Sequence, residues 1–297
     1  MKYIVMIITI IGALNFGVQN SYLDPSIMNI NAYSLGIGGV SAFANDSTAI
    51  FDNASYLIKQ NNNVAVSYLN LMGEIDYINI SMKLGDYGFG ILRNQIMDNV
   101  TGTDQNGKFY SKGTYGYSNN VIYLSKALNN DSEMPLAITL KVFYSNIYEN
   151  SALGANINLS STYKVTDRIM ISNVIKNILN YGQDSIFWST GTVEDLPVSY
   201  EFCMKYEWQD ITLFGKLVYC KDITTENTKH FGLSYRYSVF EFLVGYSEYV
   251  KDGELNFTLN GGIGVRMNGI KLDYSYKPVS QEYYSSLNHF ITMSFEI

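Results

Sequence analysis

From residue 62 onward the chain repeats one unit, an alternation of apolar and polar side chains ended by a tight turn. Its clearest instance is residues 255–277. Leu255, Phe257, Leu259, Ile263 and Val265 alternate with Asn256, Thr258, Asn260, Gly262, Gly264 and Arg266. After Asn268-Gly269, Ile270, Leu272, Tyr274 and Tyr276 alternate with Lys271, Asp273, Ser275 and Lys277. A side-chain period of two puts one set on each face of a strand. Asn-Gly tolerates the positive φ that a two-residue hairpin turn requires. The same pattern recurs at Val64–Tyr68, at 136–145, at 153–160, at 198–208, at 231–238 and at 291–297. It predicts about fourteen antiparallel strands, each near the ~9–11 residues that cross a bilayer at a tilt.

Connection lengths order these strands. Gly85-Asp86, Thr166-Asp167, Trp208-Gln209-Asp210, Ser238 and Asn268-Gly269 mark tight links. The stretches 97–114, 178–196 and 277–288 read as long loops on the alternate links. Short turns at one end and longer loops at the other are the plan of a transmembrane β-barrel of the outer-membrane type. A soluble sandwich would have to bury every Tyr/Phe/Leu face in one core and leave long sheet edges open. Closure in lipid removes the edges and gives the apolar faces their solvent. The polar faces then line the lumen, with Lys141, Glu201, Lys205, Arg236, Arg266, Lys271 and Asp273 as its candidate charged residues.

Composition agrees. The 297 residues include 26 Tyr, 15 Phe, 24 Gly and only 4 Pro, and 16% are charged, below the ~25% of typical soluble domains. The net charge of −7 offers no basic stripe for phosphates, which argues against a nucleic-acid partner. Residues 1–20 read as a secretory signal: Lys2, then the apolar run Tyr3–Leu14, then a small or polar exit at Gly17. Cys203 and Cys220 are the only cysteines. Pairing across the turn at 208–210 puts Cys203 opposite roughly position 214, beyond disulfide reach of Cys220. With only His230 and His289, and no Gly-x-Ser-x-Gly, His-Glu-x-x-His or paired-carboxylate pattern, the residues specify no catalytic or metal site and no cofactor.

Residues 21–61 do not alternate, and read as a plug preceding the barrel at 62–297. Asp46 and Asn53 are expected to cap two short helical turns. The glycine run at 36–39 lacks phosphate-loop spacing and context. The order Gly36-x-Gly38-Gly39, Ala44-Asn45-Asp46, Ala49-Ile50-Phe51-Asp52-Asn53-Ala54 and Leu57 resembles the N-terminal signature of the PorV/PorQ family, within the FadL-type superfamily of fourteen-stranded outer-membrane barrels. Leu84–Gly90 and Leu272–Tyr276 extend the likeness. Ala54 stands where that family has Pro, and the chain ends in Ile297 rather than an aromatic residue. The resemblance implies an N-terminal hatch inside the barrel, in which Gly36, Gly38, Gly39, Asp46 and Asn53 are the motif positions. It also implies one of two roles in the outer membrane of a diderm bacterium. The first is a transport barrel or channel for small hydrophobic or amphipathic molecules. The second is a PorV-like barrel that binds secreted proteins.

Overall fold

The computed structural model describes residues 31–71, 75–103, 108–128, 133–179, 185–220, 228–251, 254–281 and 284–297. The expected signal segment, the first ten residues of the hatch (21–30) and the 72–74 turn lie outside the described residues.

Seven strands lead off: β1 (Asn63–Leu71), β2 (Ile75–Leu84), β3 (Tyr87–Thr103), β4 (Phe109–Leu128), β5 (Leu136–Ile147), β6 (Asn150–Lys164) and β7 (Ile169–Lys176). A small ribbon follows, β8 (Ile186–Trp188) and β9 (Val193–Glu194). The chain then continues through β10 (Ser199–Trp208), β11 (Ile211–Cys220), β12 (Thr228–Tyr237), β13 (Phe240–Lys251), β14 (Glu254–Met267), β15 (Ile270–Gln281) and β16 (Tyr284–Glu296). Each strand of the wall pairs antiparallel with the next, β7 pairs with β10, and β16 closes on β1. The wall is therefore a closed barrel of fourteen strands, all of the sheet except the β8–β9 ribbon. Closure leaves no strand edge open, which is what a sheet in hydrocarbon requires.

The apolar faces point outward. Leu259 is 58% exposed and Leu272 42%, whereas Lys271 is 7% exposed and Asp273 fully buried. Burial alternates strictly along β5 and β6, where Leu140, Tyr144 and Leu153 face out and Lys141, Ser145, Asn156 and Asn158 face in. Beside the short turns, exposed Tyr87, Trp208, Tyr237, Phe240 and Phe295 form an aromatic band, at the level where aromatic rings sit in the bilayer interface.

Two of the three expected long loops are strands. Most of 97–114 continues β3 and β4 as one tall hairpin, and 277–288 falls mainly within β15 and β16. At 20 residues β4 is roughly 65 Å long, about twice a bilayer core, so its hairpin stands clear of the membrane. Of the three, the stretch between β7 and β10 remains a long connection, and it carries the β8–β9 ribbon. The Trp208–Ile211 turn is also tighter than expected: Cys203 pairs with Lys216 rather than near 214, and Cys220 with Ser199. Both thiols are free.

Inside the wall lies the hatch, comprising helix α1 (Ala32–Gly36) and three 3-10 turns, Ser41–Phe43, Ser47–Phe51 and Ala54–Lys59. Short turns rather than a long helix follow from the sequence, in which Gly38 and Gly39 take positive φ and Asn31, Asp46 and Asn53 interrupt. Asn31 and Asp46 cap the turns that follow, accepting from Ser34 N (2.6 Å) and Thr48 N (3.0 Å). Asn53 occupies the cap position of the last turn but makes no capping bond. Its amide instead donates to Ala42 O (2.8 Å) and Thr162 Oγ1 (3.0 Å), tying the hatch to itself and to β6.

Candidate functional site

The hatch meets each sector of the wall through different chemistry. Toward β3–β5 the contact is apolar, and toward β6 it adds bonds from Asn53 and Ser55 to Thr162 and Ser160. Ile50, Phe51, Ala54 and Leu57 pack with Leu92, Val121, Tyr123 and Phe143 in one buried cluster, and Phe51 meets Tyr123 edge-on at 4.9 Å. Gly88 and Gly90 of β3 make room, because a Cβ at either would fall 2.9 Å from Leu57 or 2.7 Å from Phe51. The Leu84–Gly90 likeness is thus a place in the wall shaved for the hatch.

Toward β12 and β13 the contact is backbone on backbone. Gly232 and Gly245 are cross-strand partners. A Cβ on Gly245 would fall 1.8 Å from Gly38 N, and one on Gly232 2.4 Å from Ile37 O. Gly38 has φ +79°, and a Cβ there would strike Phe231 O at 2.5 Å. Three glycines therefore let the hatch chain lie directly on the sheet. His230 Nδ1 sits 2.6 Å from Gly38 O, and Asn260 donates to Leu35 O at 3.0 Å. Gly36 fits against Ser275 and Leu243.

Toward β7, β10 and β11 the contact is ionic. Lys176, the last residue of β7, pairs with hatch Asp52 and with Glu201 of β10 (2.9 Å). Glu201 also holds Lys216 of β11 at 2.9 Å. Lys216 donates to hatch Ser41 Oγ at 3.4 Å, and Lys205 to hatch Tyr56 Oη at 2.9 Å while pairing with Glu207 at 2.8 Å. Lys205 also lies over the Phe43 and Tyr56 rings. Asp52, Lys176 and Glu201 are each about 95% buried, so removing one charge would leave its partner stranded at a cost of roughly 3–5 kcal/mol. Cys203 lies beneath this cluster, fully buried with Phe43, Tyr56 and Phe214.

A further group sits at the short-turn mouth. Lys271 pairs with Asp273, bonds Asn45 of the hatch and lies over the Tyr33 ring (4.5 Å). Arg266 pairs with Glu241 at 2.8 Å, and Glu241 accepts from Tyr33 Oη at 3.3 Å. A cavity of ≈ 410 Å³ opens here between hatch and wall, lined by Asp46, Lys59, Gln60, Arg266, Lys271 and Glu296 among others.

The expected lumen charges thus separate into places. Glu201 and Lys205 belong to the ionic seam, and Arg266, Lys271 and Asp273 to the mouth. Lys141 is buried against Phe143, over whose ring its ammonium lies at 5.1 Å. Arg236 lies at the mouth on the inward face, 3.9 Å from buried Glu241, with its side chain 55% exposed beside the β12–β13 turn. Of the motif residues, Gly36, Gly38 and Asn53 contact the wall, Gly39 takes φ +94°, and Asp46 caps its turn beside Lys271. Sequence reasoning missed Asp52, Lys176 and Lys216 as a set. Their signal was parity alone: Lys176 and Lys216 fall on the inward phase of their strands.

Part of the connection between β7 and β10 joins the hatch inside the wall. Ile186 and Leu196 are fully buried in the same apolar cluster as Phe51 and Phe143, and β8 lies on β6 at Ala152–Gly154.

No protein-family model and no curated protein matches this sequence. Solved structures do. The toluene transporter TodX of Pseudomonas putida aligns over 94% of this chain and 99% of its own, with a TM-score of 0.65 at 11% identity. The CymD monoaromatic hydrocarbon channel aligns over 91% and 98%, with a TM-score of 0.61 at 12% identity. A FadL homologue from Pseudomonas aeruginosa aligns over 95% and 99%, with a TM-score of 0.56 at 10% identity. The fold is that of the FadL-type barrels.

Proposed function

We propose that this protein is an outer-membrane channel for small hydrophobic or amphipathic molecules. The observation that carries the reading is what lies inside the barrel. A hatch, with buried residues of the β7–β10 connection packed on it, is a piece of chain that can shift without breaking the fourteen-strand wall. The fold is shared with barrels described as a toluene transporter and a monoaromatic hydrocarbon channel, which supports a cargo of that general class. The absence of a recognisable nucleophile–base or metal-ligand pattern in the sequence supports a non-enzymatic role. The test is uptake of toluene by cells whose lipopolysaccharide-covered outer membrane carries the protein. Uptake faster than by matched cells lacking it is expected, and equal rates would overturn the reading.

A second reading keeps the PorV-like role, a barrel that binds a secreted protein. It is favoured by the Gly36-x-Gly38-Gly39 and Ala49–Ala54 likeness. Mass spectrometry of the protein gently extracted from its native membrane separates the two. Co-purifying small hydrophobic molecules support the channel, whereas one stoichiometric protein without lipid supports the binding barrel.

A further inference from the structure

The three sectors that hold the hatch are unequal in what it takes to part them. The apolar sector toward β3–β5 and the backbone contact on Gly232 and Gly245 can be parted only by opening dry surface. Toward β7, β10 and β11, as at Lys271 of the mouth, the hatch is held instead by the tips of long side chains: Asp52 to Lys176, Ser41 to Lys216, Tyr56 to Lys205. Such contacts can be exchanged for water one at a time. Resting on the channel reading for its purpose, we propose that the passage opens along this seam, with the Asp52–Lys176 pair as its clasp.

Two features of the chain fit a gate at this place. Lys176 is followed directly by Asn177, which takes φ +60° and donates to Pro197 O at 2.8 Å. Asn177 therefore ties the end of β7, and with it Lys176, to the residues that lead into β10. Withdrawal of Asp52 also changes the seam's charge. Lys176, Lys205 and Lys216 then face Glu201, with Glu207 beside Lys205. The opened seam carries an excess of ammonium and prefers anions or anionic heads.

Cys203 reports the gate without any need for transport. It is fully buried, paired in register with Lys216, and covered by hatch residues Phe43 and Tyr56. In a Cys220→Ser background, Cys203 should resist a small maleimide. Asp52→Asn, nearly the same shape, should raise its labelling rate roughly tenfold or more through easier local opening. Arg266→Gln, which removes a lumen charge outside the seam, should leave it protected. Should Asp52→Asn not yield a heat-modifiable barrel, Lys176→Met removes the same pair from the wall side and is expected to expose Cys203 equally. Protection retained in the clasp variant, or equal exposure in Arg266→Gln, would overturn the proposal. In planar bilayers the clasp variant should conduct with anion preference, and a cation preference would overturn the assigned seam charge. Exposure of Cys203 with no conductance would leave the clasp standing and overturn the channel reading instead.

Discussion

At the scale of single residues, the hatch is fitted to the wall by missing side chains as much as by present ones. Gly232, Gly245 and Gly38 bring two backbones into contact, and one added methyl group at Gly245 would fall on the Gly38 amide. Gly245→Ala should therefore destabilise the protein by about 1–3 kcal/mol through overpacking. It should also shift the hatch off β13. Denaturant unfolding in detergent would show the first effect, and protease sensitivity of the hatch the second. The ion pairs are fitted differently. A buried pair adds little over an apolar pair of the same shape, but it penalises any state in which one partner stays and the other leaves. That makes Asp52 and Lys176 better suited to choosing between two hatch positions than to stabilising the barrel.

At the scale of elements, the strands were legible and their surroundings less so. Wherever a strand lies in lipid, one face must be apolar and the other polar, and the period of two survives in the sequence, as in β14 and β15. In the upper part of β3, Asp98, Asn99, Thr101, Gly102 and Thr103 are polar or small and leave no alternation around Val100, so the segment looked like a loop although its backbone pairing continues. The hatch was legible as a break in alternation and as a motif. Its partners were not, because Asp52 and Lys176 lie 124 positions apart and nothing local records which inward lysine an acid will meet. Glu201 and Lys205 were found by parity; so was Arg236, whose place beside the β12–β13 turn leaves it open to water although it meets Glu241. The lipid-facing assignment has its own test at this scale. Leu259→Arg, near the middle of β14, should cost roughly 2–4 kcal/mol if that face meets hydrocarbon. Reversible folding into lipid vesicles would measure it.

At the scale of the whole molecule, the barrel combines a wall that is closed by its hydrogen bonds with a hatch that is a separate piece of chain inside it. The wall accounts for the aromatic, sparsely charged composition, and the hatch for the glycines and the short polar turns that interrupt it. Both the channel and the gate depend on the wall standing in a bilayer with its oily side outward. The most direct test is a spin-label scan of 255–265 on β14 in a reconstituted bilayer. Labels at 255, 257, 259 and 263 are expected to be open to oxygen dissolved in the hydrocarbon, and those at 256, 258, 260 and 264 shielded from it. The opposite phase, or no alternation, would contradict the membrane barrel and the channel built on it.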